Sequence, residues 1–159
     1  MSWERGRTEI EGLLDERRLS MVEPSSALGE RLMDDAAHHL ESARTLAPSD
    51  PTGAYQLAYD AARKAGAALL APQGLRAASA GGHRAIQEAV EAQFNGPNGM
   101  LIFRRFSRMR RGRAEREYPD SDSPNTTTDD VAEATQWSAE IVAAARSVLD
   151  SGELSAYRR

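Results

Sequence analysis

SDPTGAYQLAYDAARKAGAALLAPQG, from Ser49 to Gly74, decides how the rest of the chain reads. Asp50 stands where a helix takes its N-cap, Pro51 presets the backbone angle of the first helical position, and Pro72 with Gly74 forbids continuation. The spacing predicts a helix reaching about Ala71. One face of it carries Ala58, Ala61, Ala62, Ala65, Gly66 and Ala68, too small to hold a neighbour away, while Leu69 and Leu70 anchor the end. Tight helix packing is the expectation.

The flanking sequence is alanine-rich, poor in β-branched residues and interrupted at fairly even intervals by Pro, Gly, Asp and Ser, a pattern of helices joined by short loops. Before the Ser49 to Gly74 stretch, SALGERLMDDAAHHLESARTLA predicts a helix from about Ser26 to Ala47, with Leu28, Leu32, Ala36, Leu40, Ala43 and Leu46 inward and Pro48 closing it. After it, GGHRAIQEAVEAQF predicts a helix from about Gly82 to Phe94, with Ile86, Ala89, Val90 and Phe94 inward. The turn NGPNG leads to a further helix, Asn98 to Glu117, ended by Pro119 and DSDSPN. The last helix opens with Thr128 as N-cap, turns Val131, Ala134, Trp137 or Ser138, Ile141, Val142, Ala145 and Leu149 inward, and stops at Gly152. A short amphipathic segment, Thr8 to Leu19, places Ile10, Leu13 and Leu14 on one side and reads as a docking helix or an arm.

The fold class expected is therefore all-α: an up-and-down bundle of four to five main helices with a short extra N-terminal helix. Residues 1–22 form an N-terminal arm or short helix, 23–152 the bundle and 153–159 a tail. At 159 residues the chain suits one domain with a real core. Apolar residues at 40% and charged residues at 28% are ordinary for a globular protein, so folding is expected. The absence of cysteine excludes disulfides and thiolate metal sites. No export-like N-terminus and no apolar run near the roughly 20 residues of a bilayer span are seen, so a cytoplasmic protein without membrane contact is expected. A net charge of −4 argues against a generally basic nucleic-acid binder. Lys64 is the only lysine, so part of the arginine content reflects coding background rather than function.

Against that background FRRFSRMRRGRAEREYPD, Phe103 to Asp120, packs seven arginines between Arg104 and Arg116. With residues about 100° apart, Ile102, Phe106, Met109 and Arg113 share one stripe, with Phe103, Arg110 and Glu117 at its edge. Arg104, Arg108, Arg111 and Glu115 fall opposite, on a solvated face. A guanidinium on the apolar stripe needs a carboxylate, a partner chain or a wet cleft, because unpaired burial costs several kcal/mol. Glu117, four residues on, is the nearest acid, so Arg113 reads either as half of a structural pair or as a functional group. Gly112 costs about 1 kcal/mol against alanine in mid-helix, and its usual benefit is close approach by a backbone or ligand.

Three stretches together resemble the HEPN superfamily, helical domains of higher eukaryotes and prokaryotes that bind nucleotides. DPTGAYQLAYDAARKAGAALLAPQGLR looks like the family's second helix. GGHRAIQEAV is similar to the short helix that follows it. MRRGRAEREYPD resembles the end of the motif helix, written Arg, a polar residue, three residues, His, with a variant branch ending in Tyr. The resemblance spans roughly Ser26 to Leu149 and rests on the order and spacing of all three. It implies a homodimer in which motif helices meet in a cleft, and RNA or a nucleotide as ligand. In the nuclease members the Arg stabilises phosphate charge and the His transfers protons, with the 2′-hydroxyl as nucleophile and no metal.

Carried over by position, the motif Arg falls on Arg113, the polar residue on Ala114 and the His on Tyr118. An alternative register runs Arg111, Arg116, Tyr118 and also lacks the His. Tyrosine, with an ordinary pKa of about 10, is a poor base at neutral pH but donates hydrogen bonds to phosphate. The resemblance thus implies Arg113 and Tyr118 as the catalytic pair of a metal-independent ribonuclease or toxin-like component of a toxin–antitoxin or defence system. Arg110, Arg113, Arg116 and His83 are the nucleic-acid or nucleotide contacts, with Glu117 and Gly112 in support. The alternative is a non-catalytic dimer binding a nucleotide, RNA, an antitoxin or a nucleotidyltransferase-type partner. No cofactor or metal is called for. His83, beside Gly81 and Gly82, reads as a helix cap or an anion contact. His38 and His39 read as surface or rim residues and Asp34 and Asp35 as a solvated pair; Trp3 and Trp137 are candidates for stacking bases, with Trp137 read first as core.

Overall fold

The computed structural model describes residues 4–94 and 100–159, without the side chains of residues 100–102. Trp3, Asn98, the side chain of Ile102 and the NGPNG turn lie outside the described residues, with the expectations attached to them. Among the described residues the elements are α1 (Arg7–Asp15), β1 (Leu19–Met21), α2 (Ser26–Leu46), α3 (Pro51–Leu70), β2 (Leu75–Ala77), α4 (Gly82–Gln93), α5 (Met100–Glu117) and α6 (Thr128–Asp150). The protein is an all-α helical bundle carrying one tiny two-stranded sheet. None of these helices is long and apolar enough to cross a membrane.

α3 is the centre. Asp50 accepts a hydrogen bond from the Gly53 N–H at 3.0 Å, Pro51 holds the first position, and the helix runs to Leu70. Ala58, Ala61, Ala62, Ala65 and Ala68 have no exposed surface, and α2, α4, α5 and α6 all pack on this helix. Gly66 is a point of close approach. A Cβ there would stand 2.8 Å from Ile86 Cγ2 and 3.3 Å from Phe106 Cζ, so α4 and α5 both close over a glycine hydrogen.

The same closeness corrects the expected face of α2. Gly29, Met33, Ala36, Leu40 and Ala43 are buried, while Leu28 is 46% exposed and Leu32 and Leu46 are only half-buried. At Gly29 the α2 backbone comes so near α3 that a Cβ would lie 3.0 Å from the Ala68 carbonyl oxygen. Seating the glycine there turns the leucine beside it aside.

α1 is short, but Ile10, Leu13 and Leu14 are buried and the helix packs on α4. Its end is a Schellman turn: Arg17 N–H donates to Leu14 O at 3.0 Å and Arg18 N–H to Leu13 O at 2.8 Å, with Arg17 at φ 59° where glycine is usual. The last residues return to the same region. Tyr157 is buried, its N–H donates to Gln73 O at 2.8 Å and its hydroxyl to Glu11, while Arg159 pairs with Glu11 and Asp15. β1 and β2 pair antiparallel with Ser20 opposite Arg76, so that Leu19, expected at the end of the amphipathic segment, belongs to a strand.

At the start of α6 the cap is Thr127, one residue earlier than the spacing suggested. Its hydroxyl accepts from Asp130 N–H at 3.1 Å and the Asp130 carboxylate accepts from Thr127 N–H at 2.9 Å, a reciprocal capping box. Of the two residues offered for the inward position, Ser138 is fully buried and Trp137 only partly. Thr127→Ala is expected to lower stability by about 1 kcal/mol in urea unfolding. Thr128→Ala, outside the box, should leave the midpoint nearly unchanged.

Candidate functional site

α5 has the stripe expected of it. Phe103, Phe106 and Met109 are buried, Arg113 continues their line half-buried, and Arg104, Arg108, Arg111 and Glu115 face solvent. Arg113 Nη1 lies 2.5 Å from Glu117 Oε2, so the structural pair is formed. The same guanidinium stands with its Cζ 6.0 Å from the centre of the Tyr59 ring. Tyr59 projects from α3 and is 2% exposed, which obliges its hydroxyl to find a partner inside. That partner is His83, in the first turn of α4: Tyr59 Oη is 3.2 Å from Nδ1 and the two rings stack at 5.6 Å.

Burial pushes the Tyr59 phenol up to about 12, against the pull of Arg63, Arg113 and Arg110. Burial likewise lowers the His83 imidazole below its ordinary value, and Arg63 and Arg113 add to that. In the tautomer with the His83 proton on Nε2, the phenol donates to Nδ1. In that tautomer His83 offers a hydrogen-bond donor, not a base. Around the pair, Arg63 Nε donates to Asp60 at 2.8 Å, and Asp60 also holds His39 Nδ1 at 2.8 Å. Arg110 Nε donates to Gln87 Oε1 at 3.1 Å rather than to a carboxylate.

Arg110, Arg113, Glu117 and His83 are thus gathered on one face built by α3, α4 and α5. Arg116, Gly112 and Tyr118 are not. Arg116 lies flat over Tyr55 at 3.9 Å, donates to Gly112 O at 3.0 Å and to Thr126 Oγ1 at 2.9 Å, and pairs with Asp130 at 3.4 Å. These contacts staple the end of α5 to α3 and α6. Gly112 does serve a close approach, and what approaches is Tyr55: a Cβ would overlap the phenol oxygen and stand 2.9 Å from Cζ. Tyr118, just past the helix, is 78% exposed. Trp137 is flanked by Arg108 and Arg105, with their Cζ atoms 5.3 and 5.8 Å from its ring centre.

Tyr59, Asp60, Arg63 and Gln87 were not singled out from the sequence. Tyr59 carried a readable signal, since it lies four residues from Tyr55 among alanines, where a buried hydroxyl demands a polar partner. Gln87 carried none. Comparison of the chain with protein-family models, with curated proteins and with solved structures finds no match.

Two outcomes are expected from this geometry. Gly112→Ala should destabilise by about 1–3 kcal/mol in thermal or urea unfolding, despite alanine's better helix propensity, and Tyr55→Phe in the same chain should recover part of the loss. The second concerns pH. The unfolded chain takes up a proton on His83 at the ordinary value of 6.5, whereas the folded chain resists until lower pH. The contribution of His83 is therefore complete above 6.5 and is lost as pH falls from there through its lowered folded value. Urea unfolding at a series of pH values should show a shallower acid decline in His83→Gln.

Proposed function

We propose that the protein is a HEPN-like module directed at RNA, which grips the phosphate backbone with Arg110, Arg113 and the Nε2–H of His83. What carries the reading is the convergence of an arginine, a buried tyrosine and a histidine from three helices, Arg113 over Tyr59 at 6.0 Å and Tyr59 on His83 at 3.2 Å. Charge supports it. α5 carries seven arginines in a chain of net charge −4, and Arg104, Arg108, Arg110 and Arg111 have no carboxylate within ion-pair distance among the described residues. The half-buried Trp137 beside Arg108 adds a surface on which a base stacks. In this reading two copies meet along α5, so that both sets of cations border one cleft.

Cleavage is a further step. A metal-independent ribonuclease, or a toxin-like member of a toxin–antitoxin or defence pair, needs a proton acceptor near the 2′-hydroxyl. The 78% exposure of Tyr118 favours the second reading, a dimer that binds RNA, a nucleotide or a nucleotidyltransferase-type partner without cutting.

Fluorescence anisotropy with a labelled single-stranded RNA in the presence of EDTA tests both. Binding should weaken with salt, and Arg110→Ala and Arg113→Ala should each reduce the salt slope by about 1. Glu117→Gln, which releases Arg113 from its carboxylate, should tighten binding severalfold. RNA that fails to bind at any salt concentration sinks the proposal. Intact RNA on a gel supports the non-cleaving form, and EDTA-resistant fragments lost in Arg113→Ala support the nuclease form.

A further inference from the structure

Apart from the polar face of α5, the bundle carries a groove of about 550 Å³, within the range of small-molecule sites. Its walls come from α2, α3, α4, β2 and the residues that follow β1. Leu32, Ala67, Leu70, Leu75 and Ile86 make an aliphatic lining. Val22 and Leu28, 39% and 46% exposed, stand at the rim, and Met21 at 46% precedes them on β1. Those three are all but one of the large hydrophobic side chains left exposed among the described residues, the other being Tyr118. Water-exposed apolar surface concentrated around one concavity marks a place where something apolar sits.

The polar groups are few and convergent. Arg63, Arg76 and His83 line the groove, with Glu23 as the only acid. Arg63 is steadied by Asp60 and His83 by Tyr59, which leaves Nε2 of His83 free of any partner among the described residues. Arg76 makes no ion pair among them. Among the described residues no aromatic ring other than the imidazole lines the walls, so no other lining residue offers a nucleobase a surface on which to stack. A flexible aliphatic chain needs only release from water, and a negative head complements the cations.

We propose that this groove binds a linear amphiphile, an aliphatic chain lying along Leu32, Ala67 and Leu70 with an anionic head, carboxylate or phosphate, held by Arg63, Arg76 and His83. The site shares His83 with the RNA reading but needs neither Arg110 nor Arg113.

Isothermal titration of the full chain with decanoate tests it, alongside decanol, butyrate and phosphatidylglycerol vesicles. Decanoate should bind at one saturable site, with decanol and butyrate each weaker by about tenfold or more. Ala67→Phe, which fills the half-open floor, should abolish binding, and Arg76→Gln should weaken decanoate severalfold while leaving decanol unchanged. Circular dichroism and the unfolding midpoint of each variant establish that it is folded. Leu28→Gln, at an already exposed position, should also weaken decanoate and secures the test should Ala67→Phe not fold. Equal affinity for decanol and decanoate, no saturable heat, or binding untouched by the folded variants overturns the proposal. So does binding to vesicles without binding to monomeric decanoate. A dimer in sedimentation that Leu28→Gln dissociates overturns it too, since the groove then belongs to a second copy.

Discussion

The closeness with which neighbours approach α3 governs the rest of the bundle. Six alanines of that helix have no exposed surface, and Gly66 leaves the gap into which Ile86, Val90 and Phe106 press. Helices normally pack with axes about 8–10 Å apart, the distance set by side chains at the contact, and a face of methyl groups and hydrogens selects the near end. The stabilisation then comes from many short dispersion contacts rather than from a few large buried side chains. A larger residue on this face has nowhere to go, because four helices confine it.

Tight packing at the centre determines what stands around it. α3 bears two tyrosines four residues apart, Tyr55 and Tyr59, and each leads a polar hydroxyl out of an alanine surface. Tyr55 reaches α5 at Gly112 and lies under Arg116, while Tyr59 reaches α4 at His83 and lies under Arg113. The arginine-dense stretch is split by this arrangement. Arg116 is consumed by Tyr55, Thr126 and Asp130, all of them structural partners. Arg113, three residues earlier, has one carboxylate and an open side. Two arginines with nearly the same local sequence thus differ in availability because of which tyrosine of α3 lies below them.

Much of this was legible in advance, and the failures have physical causes. Asp50 with Pro51 fixed the start of α3 because the cap and the preset φ act on their own backbone. The Phe106, Met109, Arg113 stripe was readable because an apolar period needs no tertiary information. The face of α2 was misjudged in its first turn, where hydrophobicity favours Leu28 while the packing chose Gly29 for its lack of a side chain. Thr127 and Thr128 are equal in composition, and only the reach of Asp130 back to the Thr127 N–H separates them. β1 and β2 have three residues each, too few for an alternating pattern to show. Of the site, Arg113, Glu117, Arg110 and His83 were named from sequence and do gather, but Tyr59, which joins two of them, was hidden among alanines.

His83 is the residue at which the two faces of the molecule touch. Its Nδ1 is turned toward Tyr59 and so toward Arg113, while its ring borders the aliphatic groove beside Arg63. The helix that carries it begins at Gly81 with φ 70°, a backbone that fixes the direction of the first turn. The imidazole is therefore positioned by backbone geometry on one side and by a buried phenol on the other. Any negative charge placed in the groove favours the protonated imidazole, which burial and the two arginines disfavour. Protonation puts a hydrogen on both ring nitrogens, so that the Tyr59 hydroxyl then accepts from Nδ1. The hydrogen bond that links α3 to α4 therefore lies between the two faces.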